Sequence, residues 1–139
     1  MIIVDTNVVS EVMRPRPFQA VMDWLEQNDK RLAMTSVTVA ELSYGIERIR
    51  PAERAPRLSK ALESVRQHYD GRMFAFDEPC AMIYGKLMGE ASRRGRTLQV
   101  PDGMIAAVAI HHRAALATRN VADFEFLDLQ VINPWGAAN

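Results

Sequence analysis

Short apolar runs alternate with helically spaced apolar residues along this chain, and the alternation predicts brief strands separated by helices. Ile2-Ile3-Val4 reads as a buried strand that stops on Asp5-Thr6-Asn7. A short helix starting near Asn7 is broken by Pro15 and Pro17, after which Phe18, Val21, Met22 and Leu25 recur on one helical face. Arg31 to Thr35 supplies a second strand, and Thr35-Ser36 can cap a helix carrying Val37, Val39, Ala40, Leu42, Ile46 and Ile49, ended by Pro51. Glu53 to Tyr69 is amphipathic, with Leu58, Ala61, Leu62 and Val65 on one side. A strand over Arg72 to Phe76 precedes a long helix from Pro79 to Arg94, with Gly95 as its terminal glycine. The run from Asp102 to Ile110 is apolar almost all round, which predicts a helix buried in the middle of the domain. Ala115 to Ala117 and Leu129 to Ile132 complete the strands.

Strands joined through helices imply right-handed crossovers, hence an α/β fold with a mainly parallel sheet of four to five strands. In such folds ligands collect at the carboxyl edge of the sheet, which is where the first strand delivers Asp5. Asp5 is equally an N-cap for the helix that follows, since Asp and Asn are favoured caps. Only further acids in comparable settings can decide between the two.

Composition narrows the field. A chain of 139 residues fits one domain, taken as residues 1–139. Lys plus Arg equals Asp plus Glu at 17 each, so no global positive field favours nucleic acid, and any polyanion must be held locally. Basic residues are mostly arginine, a bias better ascribed to genome composition than to phosphate recognition. Cys80 has no internal partner, and with His68, His111 and His112 it lacks any zinc-ligand spacing. A reducing cytoplasm is the expected location, with neither a secretion signal nor a membrane span.

Four acids stand where burial or edge placement is expected. Asp5 follows the first strand, Glu41 lies in an apolar stretch of a helix, Asp102 opens the buried helix, and Asp123 lies just past a strand. Each has an ordinary structural alternative: Glu41 paired with Arg48 or bonded to Thr38, Asp102 capping beside Pro101, and Asp123 in a plain turn with Thr118 and Asn120. Gathered together, the four would repel one another unless cations neutralised them, and hard oxygen ligands select magnesium or manganese over zinc. Divalent ions so held support phosphodiester hydrolysis. No Walker A loop or Ser/His/Asp order suggests another chemistry.

Four segments, in order over essentially the whole chain, resemble those of the PIN-domain toxins of the VapC type. They are Val4-Asp5-Thr6-Asn7, Ser36-Val-Thr-Val-Ala-Glu41-Leu-Ser-Tyr-Gly45, Pro101-Asp102-Gly-Met-Ile-Ala-Ala and Thr118-Arg-Asn120-Val-Ala-Asp123-Phe124. The closing Val131-Ile-Asn-Pro-Trp135 is most similar to the FitB branch. Gly103 departs from the larger residue, such as Ala, that family members commonly carry there. The resemblance implies a three-layer PIN-like sandwich and a Mg2+- or Mn2+-dependent endoribonuclease. Its acidic cluster would be Asp5, Glu41, Asp102 and Asp123, with Thr6, Thr118 and Asn120 as supporting residues. It also implies a DNA-binding antitoxin that covers the acidic pocket, homodimerisation, higher assembly with the antitoxin, and operator DNA contacted only through that partner. The apolar helices between Phe18 and Leu62 are candidates for the dimer interface. Arg14, Arg16, Arg48, Arg50 and Arg119 are candidates for guiding RNA.

Other readings use the same residues. A solitary PIN-type nuclease needs no antitoxin. An aspartyl-phosphate phosphatase also begins from an Asp after a strand, but Asn7 stands where its second Asp is expected and no lysine follows a late strand edge. A catalytically silent module would use the carboxylate pocket only to dock a basic peptide.

Overall fold

Strand β1 (Ile2–Val4) occupies the middle of the sheet, and its three side chains divide between two apolar layers as the two-residue period of a strand requires. Ile2 and Val4 join one core cluster, and Ile3 joins the other. The computed structural model describes residues 1–136; the last three positions of the expected 1–139 domain lie outside the described residues. Around β1 the chain forms a five-stranded sheet in the order β3-β2-β1-β4-β5, in which every pairing is parallel.

The elements run in the predicted alternation. Helix α1 (Thr6–Val12) and helix α2 (Gln19–Asn28) precede β2 (Leu32–Thr35), helix α3 (Ser36–Arg48) and helix α4 (Arg54–His68). Strand β3 (Met73–Phe74), helix α5 (Glu78–Arg93), helix α6 (Val100–His111), β4 (Ala115–Ala117), a one-turn helix α7 (Val121–Phe124) and β5 (Val131–Ile132) follow. Register fixes the layers. Ile2 pairs with Leu32 and Ala115, and Ile3 with Ala33 and Leu116, so like-facing residues stack across neighbouring strands. On one face α1, α2 and α4 contribute Val8, Val21, Leu62 and Val65. The other face is covered by α5 and α6, whose Leu87, Ile105 and Val108 pack on Ile3 and Leu116. Completely burying one such aliphatic side chain contributes roughly 1.5–3 kcal/mol, so these two layers carry most of the drive to fold.

Helix α6 is the buried helix that its all-round apolar sequence predicts, with Ile105 through Ala109 fully enclosed. Gly95 adopts φ +65° after α5, and the Arg96 N–H reaches back to the Ala91 carbonyl at 2.9 Å, the bond that a glycine-terminated helix end requires. Three expectations need correction. The strand expected over Arg72 to Phe76 pairs only at Met73–Phe74, and the one expected over Leu129 to Ile132 only at Val131–Ile132. Helix α5 begins at Glu78, because the Asp77 side chain accepts the Cys80 N–H. Among the described residues no helix is long and apolar enough to cross a membrane.

Candidate functional site

The chain leaves β1 for β2 and β3 on one side of the sheet, then returns to place β4 and β5 on the other, so the connections diverge between β1 and β4. A crevice opens at the carboxyl end of such a switch point. Asp5 and Thr118, the first residues beyond β1 and β4, stand on its two sides. The Asp5 N–H bonds the Ala117 carbonyl at 2.9 Å, which extends the ladder to the carboxylate itself. Asp5 Oδ1 accepts the Thr6 N–H at 2.7 Å, and Oδ2 accepts the Thr118 hydroxyl at 2.7 Å and Asn7 Nδ2 at 3.3 Å. Thr118 Oγ1 in turn accepts from Asn7 Nδ2 and from the Asn120 N–H. Asp5 is buried and cannot rotate away without breaking this set.

Glu41 arrives from the second turn of α3, which Thr35 starts by accepting the Thr38 N–H. Its Oε1 takes the Thr6 hydroxyl at 2.6 Å. That commits the single proton of Thr6, so the 3.1 Å contact between Thr6 and Thr38 is a bond donated by Thr38. Two threonines therefore tie α1 to α3 and hold Glu41 beside Asp5. Asp102 is half-buried in the first turn of α6, and Asp123 lies exposed on α7.

Burial pushes the Asp5 carboxyl up; the bonds from Thr118 and the Thr6 backbone lower it, and the charges of Glu41 and Asp123 raise it further. Asp102 is pushed up to about 6, first by burial and then by Asp5, Glu41 and Asp123. The charges that raise Asp5 and Asp102 are thus those of other acids among these four. Among the described residues none of the four is in a salt bridge with arginine, lysine or histidine. Nor are three acid, histidine or cysteine side chains among the described residues grouped tightly enough to close on an ion as they stand. The donor set, hard oxygens without a basic counter-charge, nonetheless fits magnesium or manganese and does not fit zinc.

The local settings of the four acids differ from expectation. Asp102 does not cap α6: the cap position is Gln99, which makes no side-chain bond, and Asp102 sits three residues further in. Asp123 belongs to a helical turn rather than a plain turn, and the hydrogen bond of Glu41 comes from Thr6 rather than from Arg48 or Thr38. Asn120 touches the network through its backbone N–H. Asn7 and Thr38 were not anticipated in the site. For Asn7 the signal was its place one residue beyond Asp5-Thr6 at a strand end, whereas Thr38 is found only once α3 is docked on α1.

A family model described as "PIN domain" matches residues 2–127. The chain is 37% identical over 137 residues to Toxin FitB of Neisseria gonorrhoeae, covering 97% of this chain and 99% of that protein. It is 36% identical over 140 residues to a VapC ribonuclease of Sinorhizobium fredii, covering 99% and 100%. Its fold superposes on a structure of FitAB bound to a DNA fragment with a TM-score of 0.89 at 35% identity, covering 100% of this chain and 99% of that one.

Proposed function

This chain belongs to the PIN-domain family, and from that premise we propose that it is the toxin of a toxin–antitoxin pair, an endoribonuclease that hydrolyses RNA phosphodiester bonds with Mg2+ or Mn2+. The observation that carries the reading is the buried Asp5 held by Thr6, Asn7 and Thr118 at the end of β1, with Glu41 tied to the same Thr6 and, among the described residues, no salt bridge to Asp5, Glu41, Asp102 or Asp123. Asp5, Asp102 and Asp123 hold the divalent ion, and Glu41 shares it or orients the attacking water. Bound there, the ion supplies charge neutralisation and Lewis-acid activation for phosphodiester cleavage. The chain supplies rigidity: Thr118 and the Thr6 N–H fix both oxygens of Asp5, and Thr6 fixes Glu41. Asn120 supports Thr118 through its N–H.

The relatives named above support the toxin role and a partner protein. We take that partner to be a DNA-binding antitoxin that covers the acids, with the toxin forming a homodimer inside the larger assembly and acting in the cytoplasm. Acids without a basic counter-charge are well matched to a basic side chain from such a partner. Purified protein is expected to cut single-stranded RNA with manganese or magnesium and to stop in chelator. Asp5→Asn is expected to lose on the order of a hundredfold or more in rate, since even changes outside the direct ligands cost 10–100-fold, with circular dichroism unchanged. A fully active Asp5→Asn protein removes the assignment, and tight partner binding with no cleavage of any RNA favours the silent docking module.

A further inference from the structure

The four acids repel a polyanion, and a chain of zero net charge offers no general attraction to offset that. Some local cation has to hold the substrate strand, and Arg119 is the one whose surroundings are built for it. It directly follows Thr118, and its N–H donates to Asn7 Oδ1 at 3.2 Å, so its main chain is tied to the same Asn7 that bonds Asp5. Its guanidinium carbon lies 5.1 Å from the centre of the Trp135 ring. Among the described residues it is in no salt bridge, although the residue is exposed.

The contrast with Arg14 is informative. Arg14 is paired with the buried Glu11 at 3.1 Å, which leaves its charge largely neutralised. Arg119 acts on Glu11 only from further off: the Glu11 carboxyl is held low first by the Phe18 N–H, then by Arg14, and last by Arg119. An exposed arginine usually samples many rotamers, and ordering it on binding costs affinity. Stacking on an indole removes much of that freedom while leaving the guanidinium edge open for two parallel bonds to a phosphate.

We propose that Arg119 is a substrate-binding residue that grips an RNA phosphate beside the cleaved one, with Trp135 as the positioning residue that holds its guanidinium in place. The inference rests on the nuclease reading above. Arg119→Ala, Arg119→Lys, Trp135→Leu and Trp135→Phe are compared with the unaltered chain on a short fluorescent single-stranded RNA. Cleavage is followed with manganese, and binding by anisotropy in the Asp5→Asn background at several salt concentrations.

Arg119→Ala is expected to raise KM about tenfold, the size of one charge-assisted bond, with kcat nearly unchanged. It should also flatten the logarithmic salt dependence of binding by about 0.7, one phosphate contact on a single strand. Lysine restores the salt slope without full affinity, because a point charge replaces a planar fork. Phe at 135 retains most of the affinity, and Leu raises KM while leaving the salt slope intact. Melting curves accompany each variant, and should Arg119→Ala melt low, the lysine variant and its salt slope decide. An Arg119→Ala protein with unchanged KM and salt slope overturns the inference and leaves the nuclease reading standing. An unaltered chain that neither binds nor cuts RNA overturns both.

Discussion

Asp5 caps α1 without being used up by it, because Oδ1 suffices for the Thr6 N–H while Oδ2 bonds Thr118 and Asn7. The two readings that the sequence leaves open are thus not rivals. Asp102 is different, since it caps nothing, and its carboxyl is pushed up to about 6 by burial and by its acidic neighbours. A folded-state value above the ordinary 3.8 means that the folded protein holds this proton more tightly than the unfolded chain. The resulting stability is present below the unfolded value and is lost as pH rises towards about 6. In chelator, Asp102→Asn, which cannot ionise, is therefore expected to melt higher than the unaltered chain at pH 7 and to lose that advantage near pH 4. Manganese should reverse the order at pH 7 by stabilising the unaltered chain far more than the variant. Calorimetric scans with and without metal check this, and a variant that melts lower in chelator at pH 7 would count against the repulsion argument.

Among the elements, α3 matters most to the site, because its start sets where Glu41 stands. Thr35 is fully buried, and its hydroxyl accepts the Thr38 N–H at 3.2 Å. Thr35→Val keeps the shape and removes that acceptor, so a loss of about 1 kcal/mol is expected, typical of a missing cap, measured by urea unfolding. No loss would mean that the Thr38 N–H finds another partner. Helices α2 through α6 were legible in the sequence because each shows a helical apolar period or, in α6, the unbroken apolar run from Gly103 to Ile110. Helix α7 was not, since four residues cannot display a period. The strand at Met73 reads too long because Phe74 and Phe76 look alike in sequence, yet both pack as partly buried residues and only Phe74 pairs with β2. Gly103 shows a neighbour effect that no single position reveals. A Cβ there would lie 2.6 Å from Met88 Sδ and 3.1 Å from Tyr84 Cε1, so the small residue on α6 goes with the large ones on α5.

At the scale of the whole molecule, parallel crossovers bring residues 5, 41, 102 and 123 to one end of the sheet. The sequence allowed the edge placement to be inferred from strand ends, whereas the hydrogen bonds from Thr6 to Glu41 and from Thr118 to Asp5 depend on how α3 and β4 lie beside β1. Charge balance is a property of the same scale and leads to a separate expectation. Non-specific and operator binding to duplex DNA draw on counterion release, which requires several cationic side chains facing the phosphates. With 17 basic residues balanced by 17 acidic ones, this chain offers no net positive charge to a duplex. The toxin alone is therefore expected to leave operator DNA unshifted in a gel at 0.15 M salt, where affinities that rest on phosphate contacts are already weakened. If the proposed antitoxin carries the DNA-reading surface, its complex with this chain should shift the same fragment. Retardation by the toxin alone, persisting at that salt, would place a DNA-binding face on this chain that its charge distribution does not suggest.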